Sequence, residues 1–323
     1  MAQTLEWNKE ALLQSPLFTP LHPILAKLGT NGFPTLQDCN ALLAARQPTI
    51  LVQSGIPLRF MAQQRGKLPF EAQYEPRCYL SGEVPTRAHN WHDLLNALVW
   101  LTFPKAKAAF NARHYHALMD ANACTKSVRP EVSKGGEPLR HAQDRLRYLS
   151  PNGTASCSER GAVRDVNTLL DESGVIVAYS DAELAGLLRN FQWRELFWQR
   201  REQVRACHFD ITFSPERSRR VRTGMGFYLF GHGLYEKALH PYVGMTGQGL
   251  LLAVEQAFFS WPLAQRLAHL DTLLADYLAA PEHCRSTRDL TPVPVLGVPG
   301  WTVDNDSATY YDNTAYFRPG RRG

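Results

Sequence analysis

The pattern of apolar and polar positions predicts an α+β fold that is mostly helical, with short strands. The most apolar segment is 90–104, where nearly every position after Asp93 is hydrophobic, and this is typical of a helix buried on all sides. Thr35 and Asp38 have the spacing of a capping box, which predicts a helix to about residue 46. Further helices are predicted at 105–117, 182–188, 193–204, 231–239 and 249–279, the last interrupted at Pro262.

Short apolar runs bounded by turn residues predict the strands. These runs occupy 50–52, 58–61, 74–80, 225–230, 293–296 and 315–317. Residues 167–170 and 175–179 are joined by DESG, which predicts a β-hairpin with a four-residue loop. Strand order does not follow from the pattern.

The chain of 323 residues is predicted to form a single domain. Residues 1–30 contain apolar pieces bounded by prolines, which predict an N-terminal arm packed on the body. Residues 119–161 are polar and hold few aliphatic side chains, so we expect a loop insertion there.

Composition excludes several classes of protein. Hydrophobic residues make up 44% of the chain and aromatic residues 11%, which excludes a disordered chain. No apolar run approaches the roughly 20 residues of a membrane-spanning helix, and the N-terminus lacks a secretory pattern. We therefore expect a cytoplasmic protein without a membrane span. The six cysteines contain no CxxC pair, which excludes a zinc ribbon and favours free thiols.

Polar residues inside the apolar segment 90–104 are the first candidates for chemistry. His92 and Asn96 are four residues apart and share a helix face, and Asp93 lies where the helix dipole favours a carboxylate. A buried imidazole or amide requires partners, so the pattern predicts a catalytic face. The alternative is that Asn90 or Asp93 caps the helix and the other two side chains anchor a loop.

His232 and Glu236 are four residues apart on a predicted helix that follows Gly231, so both reach one point. This predicts a metal site, although the zincin pattern of two histidines is absent. The alternative is a histidine bonded locally at a helix start.

On the predicted helix 105–117, His114 is predicted to contact substrate, and the ammonium group of Lys107 is predicted to reach solvent.

Two acidic segments differ in interpretation. Asp165, beside Arg164 at a predicted loop-to-strand junction, is a candidate catalytic carboxylate. Asp171 and Glu172 are interpreted as ordinary turn residues of the hairpin. Segment 194–222 carries eight basic and four acidic residues within a chain of net charge +5, which favours either a solvated helix face or a site for nucleic acid.

Several motifs together resemble one known family, the bacterial domain of unknown function 3025. They are VPTR at 84–87, NWHD at 90–93, FPK at 103–105, RD at 164–165, DE at 171–172, FGHG at 230–233, EK at 236–237, VLGVPGW at 295–301, YD at 311–312 and FRP at 317–319. The similarity extends from about residue 16 to 319. It implies one continuous domain, with 119–161 as an extra insertion, and it implies no activity.

Three functions remain open from the sequence. In the first, a divalent metal ion activates water to hydrolyse a small phosphate- or amide-containing substrate. Arg87 or Lys237 then stabilises the negative charge that develops on the substrate during the reaction. The proposed catalytic and metal-binding residues are His92, Asp93, Asn96, Asp165, His232 and Glu236, and a metal-free pair of His92 with Asp165 uses the same residues. The second function is nucleic-acid or phosphate binding without catalysis through 194–222. The third is a purely structural polar core. The pattern does not determine the oligomeric state.

Overall fold

The computed structural model describes residues 6–64, 66–127, 157–206 and 223–320, which form an α+β fold. The structure is 54% helical with 13% strand, which confirms the predicted fold class. The helices are α1 (Lys9–Gln14), α2 (His22–Leu25), α3 (Leu36–Ala44), α4 (Tyr74–Ser81), α5 (Trp91–Thr102), α6 (Pro104–Ser127), α7 (Cys157–Ser173), α8 (Ala182–Arg189), α9 (His232–Ala238) and α10 (Leu263–Ala279). No helix in these ranges combines the length and the apolar character that a membrane crossing requires.

The strands form two sheets. The first pairs β1 (Arg59–Ala62) with β2 (Glu83–Thr86) in parallel. The second holds β3 (Gly174–Tyr179), β4 (Val204–Ala206), β5 (Met225–Leu229), β6 (Thr246–Ala253) and β7 (Thr291–Pro294) in the order β4-β5-β3-β6-β7. The central β3 is buried along almost its whole length. This explains its continuous run of apolar residues, because a strand covered on both faces shows no alternation.

The strongest sequence patterns are confirmed. The capping box of Thr35 and Asp38 begins α3. Helix α5 is buried from Asp93 to Thr102, as its apolar run predicts.

The N-terminal arm stays a prediction. Leu17, Phe18 and other apolar residues of this segment are buried in short helical turns.

The predicted β-hairpin is wrong, because α7 runs directly into β3. Val166 and Leu170 are both buried one turn apart, and this helical spacing outweighs the strand-like character of the short run. Gly174 makes the sharp junction possible, since a Cβ there would overlap the carbonyl oxygen of Leu170. Asp171 and Glu172 therefore lie in the last turn of a helix and not on a hairpin loop.

Other boundaries also differ from the sequence predictions. Segment 74–80 is helix α4, and 249–253 belongs to β6, because short apolar runs do not distinguish a helix from a strand without their neighbours. Segment 193–204 is helical only at 193–199, where Glu195–Gln199 form a π-helical turn, and 315–317 forms no strand. Of the predicted insertion 119–161, helix α6 includes the residues to 127 and α7 those from 157. Residues 128–156 lie outside the described residues.

Asp271 of α10 caps the start of α6, and this buried carboxylate predicts a pH-dependent stability. It accepts hydrogen bonds from the backbone N–H groups of Lys105 and Ala106. Burial nevertheless raises the pKa of Asp271 to about 6. Because this value exceeds that of the unfolded chain, the folded state holds the proton more tightly, and the resulting stability is lost as the pH rises from about 4 to 6. We expect a decrease on the order of 3 kcal/mol in the free energy of unfolding.

Denaturant unfolding at several pH values measures this effect in the wild type and in Asp271→Asn. The matched control is Asp276→Asn, which changes an exposed carboxylate of the same helix. An equal slope of stability against pH in the wild type and Asp271→Asn would contradict the assignment.

Candidate functional site

Glycines at the start of α9 allow this helix to pack closely against the end of α7. A Cβ on Gly231 would overlap the backbone nitrogen of Gly174, and a Cβ on Gly233 would overlap the carboxylate of Glu172. A larger residue at position 231 would push the two helices apart, because the atoms it meets are backbone atoms. Their close approach places His232, the first residue of α9, beside Glu172.

His92 joins them from the first turn of α5. Asn90 caps this helix by accepting the N–H of Asp93. The Nε2 atom of His92 lies 3.0 Å from the Nε2 atom of His232 and 3.8 Å from Oε1 of Glu172. The Nε2 atom of His232 lies 3.4 Å from the same carboxylate oxygen. Two imidazoles and a carboxylate therefore converge on one point, with one ligand atom from each within 4.8 Å of the others.

A second carboxylate determines how His92 is oriented. The Nδ1 atom of His92 lies 2.9 Å from Oε2 of Glu236. A carboxylate oxygen accepts hydrogen bonds, so Nδ1 of His92 is the donor in this contact. The other ring nitrogen, Nε2, is the atom at the point of convergence.

On the inner side, Asp171 occupies a similar place beside His232. Its Oδ2 atom lies 3.8 Å from Nδ1 of His232, and its other oxygen accepts a hydrogen bond from Nζ of Lys107. Burial alone would raise the pKa of Asp171, but the Lys107 ammonium and His232 lower it to about 2. The His232 imidazole also lowers the pKa of Glu172. Both carboxyl groups are therefore ionised at neutral pH.

A cavity of about 270 Å³ opens beside the cluster of His92, His232 and Glu172. Helix α5 contributes His92, Asn96 and Trp100 to its wall, which follow one another at intervals of four residues. Helix α6 contributes a matching stripe. The side chains of this stripe are Lys107, Phe110, Asn111 and His114. The stripes of α5 and α6, which carry most of the polar candidates predicted from the sequence, thus face one cavity.

Asp93 and Asn96, both predicted to be catalytic, line the cavity, but their side chains are hydrogen-bonded to other residues of its wall. Asp93 accepts two hydrogen bonds of 2.8 Å from the Arg87 guanidinium. Burial raises the pKa of Asp93, but Arg87 more than offsets this and lowers it below the ordinary value. Asn96 donates to the hydroxyl of Tyr74 at 2.7 Å. Arg87, predicted to bind substrate, lines the cavity in this ion pair. These contacts hold the walls in place.

His114 also lines the cavity, and burial lowers the pKa of its imidazole. Two other predicted residues are not brought to the site. Asp165 is exposed on α7, about two turns before Glu172, and Lys237 is exposed on α9. Neither lines the cavity.

Sequence reasoning missed Asp171 and Glu172 and misread Lys107. Lys107 is 2% exposed and ion-paired, so it does not reach solvent. The missed signal was the spacing of Thr168, Asp171 and Glu172, which places all three on one face if the segment is helical. All three line the cavity.

Three arginines of the basic segment 194–222 are ion-paired in the structure. The pairs are Arg194 with Asp312, Arg200 with Glu183, and Arg201 with Asp306. Trp193 and Phe197 are buried, so they pack in the core and do not present rings for base stacking. Residues 207–222 lie outside the described residues.

The close packing of α9 on α7 predicts a large difference between two glycine substitutions. We expect Gly231→Ala to lower the free energy of unfolding by about 1–3 kcal/mol, because the added methyl group meets backbone atoms that do not move easily. Gly186→Ala is the matched control. It lies within α8 with open space around it, and we expect it to stabilise by about 0.5–1 kcal/mol. Denaturant unfolding measures both. Equal stabilities of the two variants would contradict this account.

Comparison with known proteins identifies one family. Residues 58–134, 141–215 and 211–321 match a family profile described as "Protein of unknown function (DUF3025)". This confirms the resemblance found in the sequence motifs. No curated protein and no solved structure matches the chain significantly.

Proposed function

This chain belongs to the DUF3025 family, whose description assigns no activity, and we propose that it is a metal-dependent hydrolase. In this proposal His92, His232 and Glu172 bind one divalent cation. The observation that carries the proposal is the convergence of two Nε2 atoms and a carboxylate oxygen beside a cavity.

The charges around this point favour a cation. The Nε2 atoms of His92 and His232 are hydrogen-bonded across 3.0 Å, and a carboxylate oxygen lies close to both. Lys107 neutralises Asp171, which leaves Glu172 and Glu236 as an excess of negative charge. A divalent cation bound between these atoms takes the place of the proton between the two imidazoles and neutralises the two carboxylates.

The distances also suit a metal ion. Bonds of about 2.0–2.1 Å to nitrogen and oxygen separate neighbouring ligand atoms by about 2.9–3.4 Å at angles between a right angle and the tetrahedral angle. The separations of 3.0 and 3.4 Å fall in this range. The third, 3.8 Å between His92 and Glu172, is longer, and a rotation of the half-exposed Glu172 carboxylate shortens it.

The surroundings of these ligands resemble the outer partners that metal-bound histidines commonly have. Each imidazole has a carboxylate near its other nitrogen, Glu236 at His92 and Asp171 at His232. Such partners fix the orientation of the ring and strengthen the ligand. Glu236, which the sequence predicted to be a ligand, is therefore assigned to orienting His92.

Two histidines and one carboxylate leave a coordination position for water, as in catalytic zinc sites. The same ligand set also binds iron(II), so the test includes both metals. A bound cation lowers the pKa of its water and polarises the bond to be hydrolysed. The adjoining cavity would hold the substrate next to that water.

The test starts from purified protein treated with a chelator and then supplied with zinc, manganese or iron(II). Elemental analysis after removal of excess metal measures the stoichiometry in the wild type, His232→Ala and His240→Ala. His240 is exposed and lies two residues after the end of α9, so its variant is the matched control. We expect near-stoichiometric metal in the wild type and the control, and loss of metal in His232→Ala.

Metal-dependent turnover is measured next, with amide and phosphate-ester substrates. Folded wild-type protein that retains none of the three metals would overturn the metal site. Protein that retains metal but hydrolyses neither substrate class would overturn the catalytic part of the proposal.

We also propose that the protein works in a reducing compartment, the cytoplasm. Three cysteines are buried as free thiols, Cys39, Cys78 and Cys284. Burial raises the pKa of Cys78 to about 12, which keeps its thiol protonated and unreactive. Fractionation of cells that produce the protein from its own promoter tests this localisation.

A further inference from the structure

We infer that the cavity beside the cluster recognises an uncharged amide, and that the hydrolysed bond is the C–N bond of that amide. The inference rests on the proposed function for its reaction. It also makes a claim about binding that holds without the metal.

The charges of the cavity wall disfavour a phosphate ester. Its lining includes three cationic side chains, and each is already bound to a carboxylate. The pairs are Arg87 with Asp93, Lys107 with Asp171, and Arg77 with Glu83. A phosphate dianion would find no unpaired cation among the described residues of the wall. It would instead lie near Glu75 and Glu172, which also line the cavity.

Unpartnered polar atoms on the same wall match an amide. Asn96 and Asn111 are 6% and 5% exposed, and the side-chain oxygen of each is buried without a hydrogen-bond donor. The amide nitrogen of Asn111 donates to the backbone carbonyl of Glu75. That bond fixes the orientation of the Asn111 amide, so its oxygen is the free acceptor.

A donor without a partner is present as well. Nη1 of Arg77 is buried and unpartnered, and Arg77 lines the cavity. An amide offers an N–H group to the acceptors and a carbonyl oxygen to this donor. A fully ionised phosphate offers acceptors only, and it would leave the two asparagine oxygens unsatisfied.

The size of the cavity limits what enters it. Its volume of about 270 Å³ lies below the range of roughly 300–1,000 Å³ for sites that hold drug-sized ligands. The site therefore accommodates a small amide or the end of a longer chain.

The reaction is balanced by one water molecule. The oxygen of a water molecule would form a bond to the carbonyl carbon as the C–N bond breaks. Both protons of the water would pass to the leaving nitrogen, so the products are a carboxylate and a protonated amine. No oxidant, reductant or further reactant is required.

Binding to the metal-free full-length protein is measured by NMR titration with three probes. N-methylacetamide has an N–H donor, N,N-dimethylacetamide has the same carbonyl without the donor, and inorganic phosphate represents the anion. We expect N-methylacetamide to bind about tenfold more tightly than N,N-dimethylacetamide, because only the former satisfies the buried oxygens. We expect phosphate to bind more weakly than N-methylacetamide.

Asn111→Leu should reduce the preference for N-methylacetamide to near parity. Asn190→Leu, at an exposed position after α8, should leave it unchanged. If Asn111→Leu does not fold, Asn96→Leu replaces it. Equal binding of the two amides by the wild type, tighter binding of phosphate, or a preference that survives Asn111→Leu would overturn the inference.

Turnover of 4-nitroacetanilide and 4-nitrophenyl phosphate by the metal-loaded protein separates this inference from the proposed function. Release of nitroaniline but not of nitrophenol supports both. Metal-dependent release of nitrophenol alone overturns the inference and leaves the hydrolase intact. A preference for N-methylacetamide in a protein that binds no metal overturns the proposed function and leaves the recognition of an amide intact.

Discussion

Glu172→Gln is expected to weaken metal binding far more than Glu236→Gln. The Glu172 carboxylate lies at the point where His92 and His232 converge, so its replacement removes a ligand and the charge that balances the cation. Glu236 bonds only the far nitrogen of His92, and loss of such an orienting partner typically costs about 10- to 100-fold in metal affinity. We expect the loss in Glu172→Gln to exceed that range.

Isothermal titration of chelator-treated protein with zinc measures both affinities. Glu183→Gln, which changes an exposed carboxylate at the start of α8, serves as the control and should bind zinc like the wild type. If Glu236→Gln abolishes binding while Glu172→Gln retains it, the two roles are reversed and the ligand assignment is wrong.

Lys107→Met is expected to destabilise the protein by about 3–5 kcal/mol. Lys107 is 2% exposed, and its ammonium is bonded to the largely buried carboxylate of Asp171. Removal of one member of a buried ion pair leaves the other charge without compensation, and this cost accounts for the magnitude. Denaturant unfolding at neutral pH measures it.

Two further variants separate this charge effect from a loss of packing. Lys105→Met removes an exposed lysine from the same helix, and we expect a change within about 0.5 kcal/mol. Asp171→Asn combined with Lys107→Met removes both charges and should recover most of the lost stability. A double variant no more stable than Lys107→Met would show that packing and not charge explains the loss.

Features that depend only on residues close together in the sequence could be predicted from it. The apolar run after Asp93 predicted the buried helix α5, and Thr35 with Asp38 predicted the start of α3. The four-residue spacing of His232 and Glu236 placed both side chains on α9. These predictions succeeded because helical periodicity and capping are local properties of the chain.

Short apolar runs were ambiguous because so few residues do not show whether the apolar positions repeat with the period of a helix or of a strand. Segments 74–80 and 249–253 fit either a helix or a strand, and their neighbours in the fold decided between the two. The hairpin prediction had a larger consequence, because it assigned Asp171 and Glu172 to a surface turn. The helix that forms instead directs both carboxylates toward His232.

The α+β class, the family and the candidate histidines on α5 and α9 follow from the amino-acid sequence alone. The folded chain brings His92 and His232, which are 140 residues apart, to a separation of 3.0 Å between their Nε2 atoms. It also adds Glu172 to this cluster and leaves Asp165 outside it. The position of His232 beside Glu172 depends on how closely the start of α9 packs against the end of α7. Gly231 and Gly233 permit that approach because neither carries a side chain, and such a contact between distant segments leaves no local pattern in the sequence.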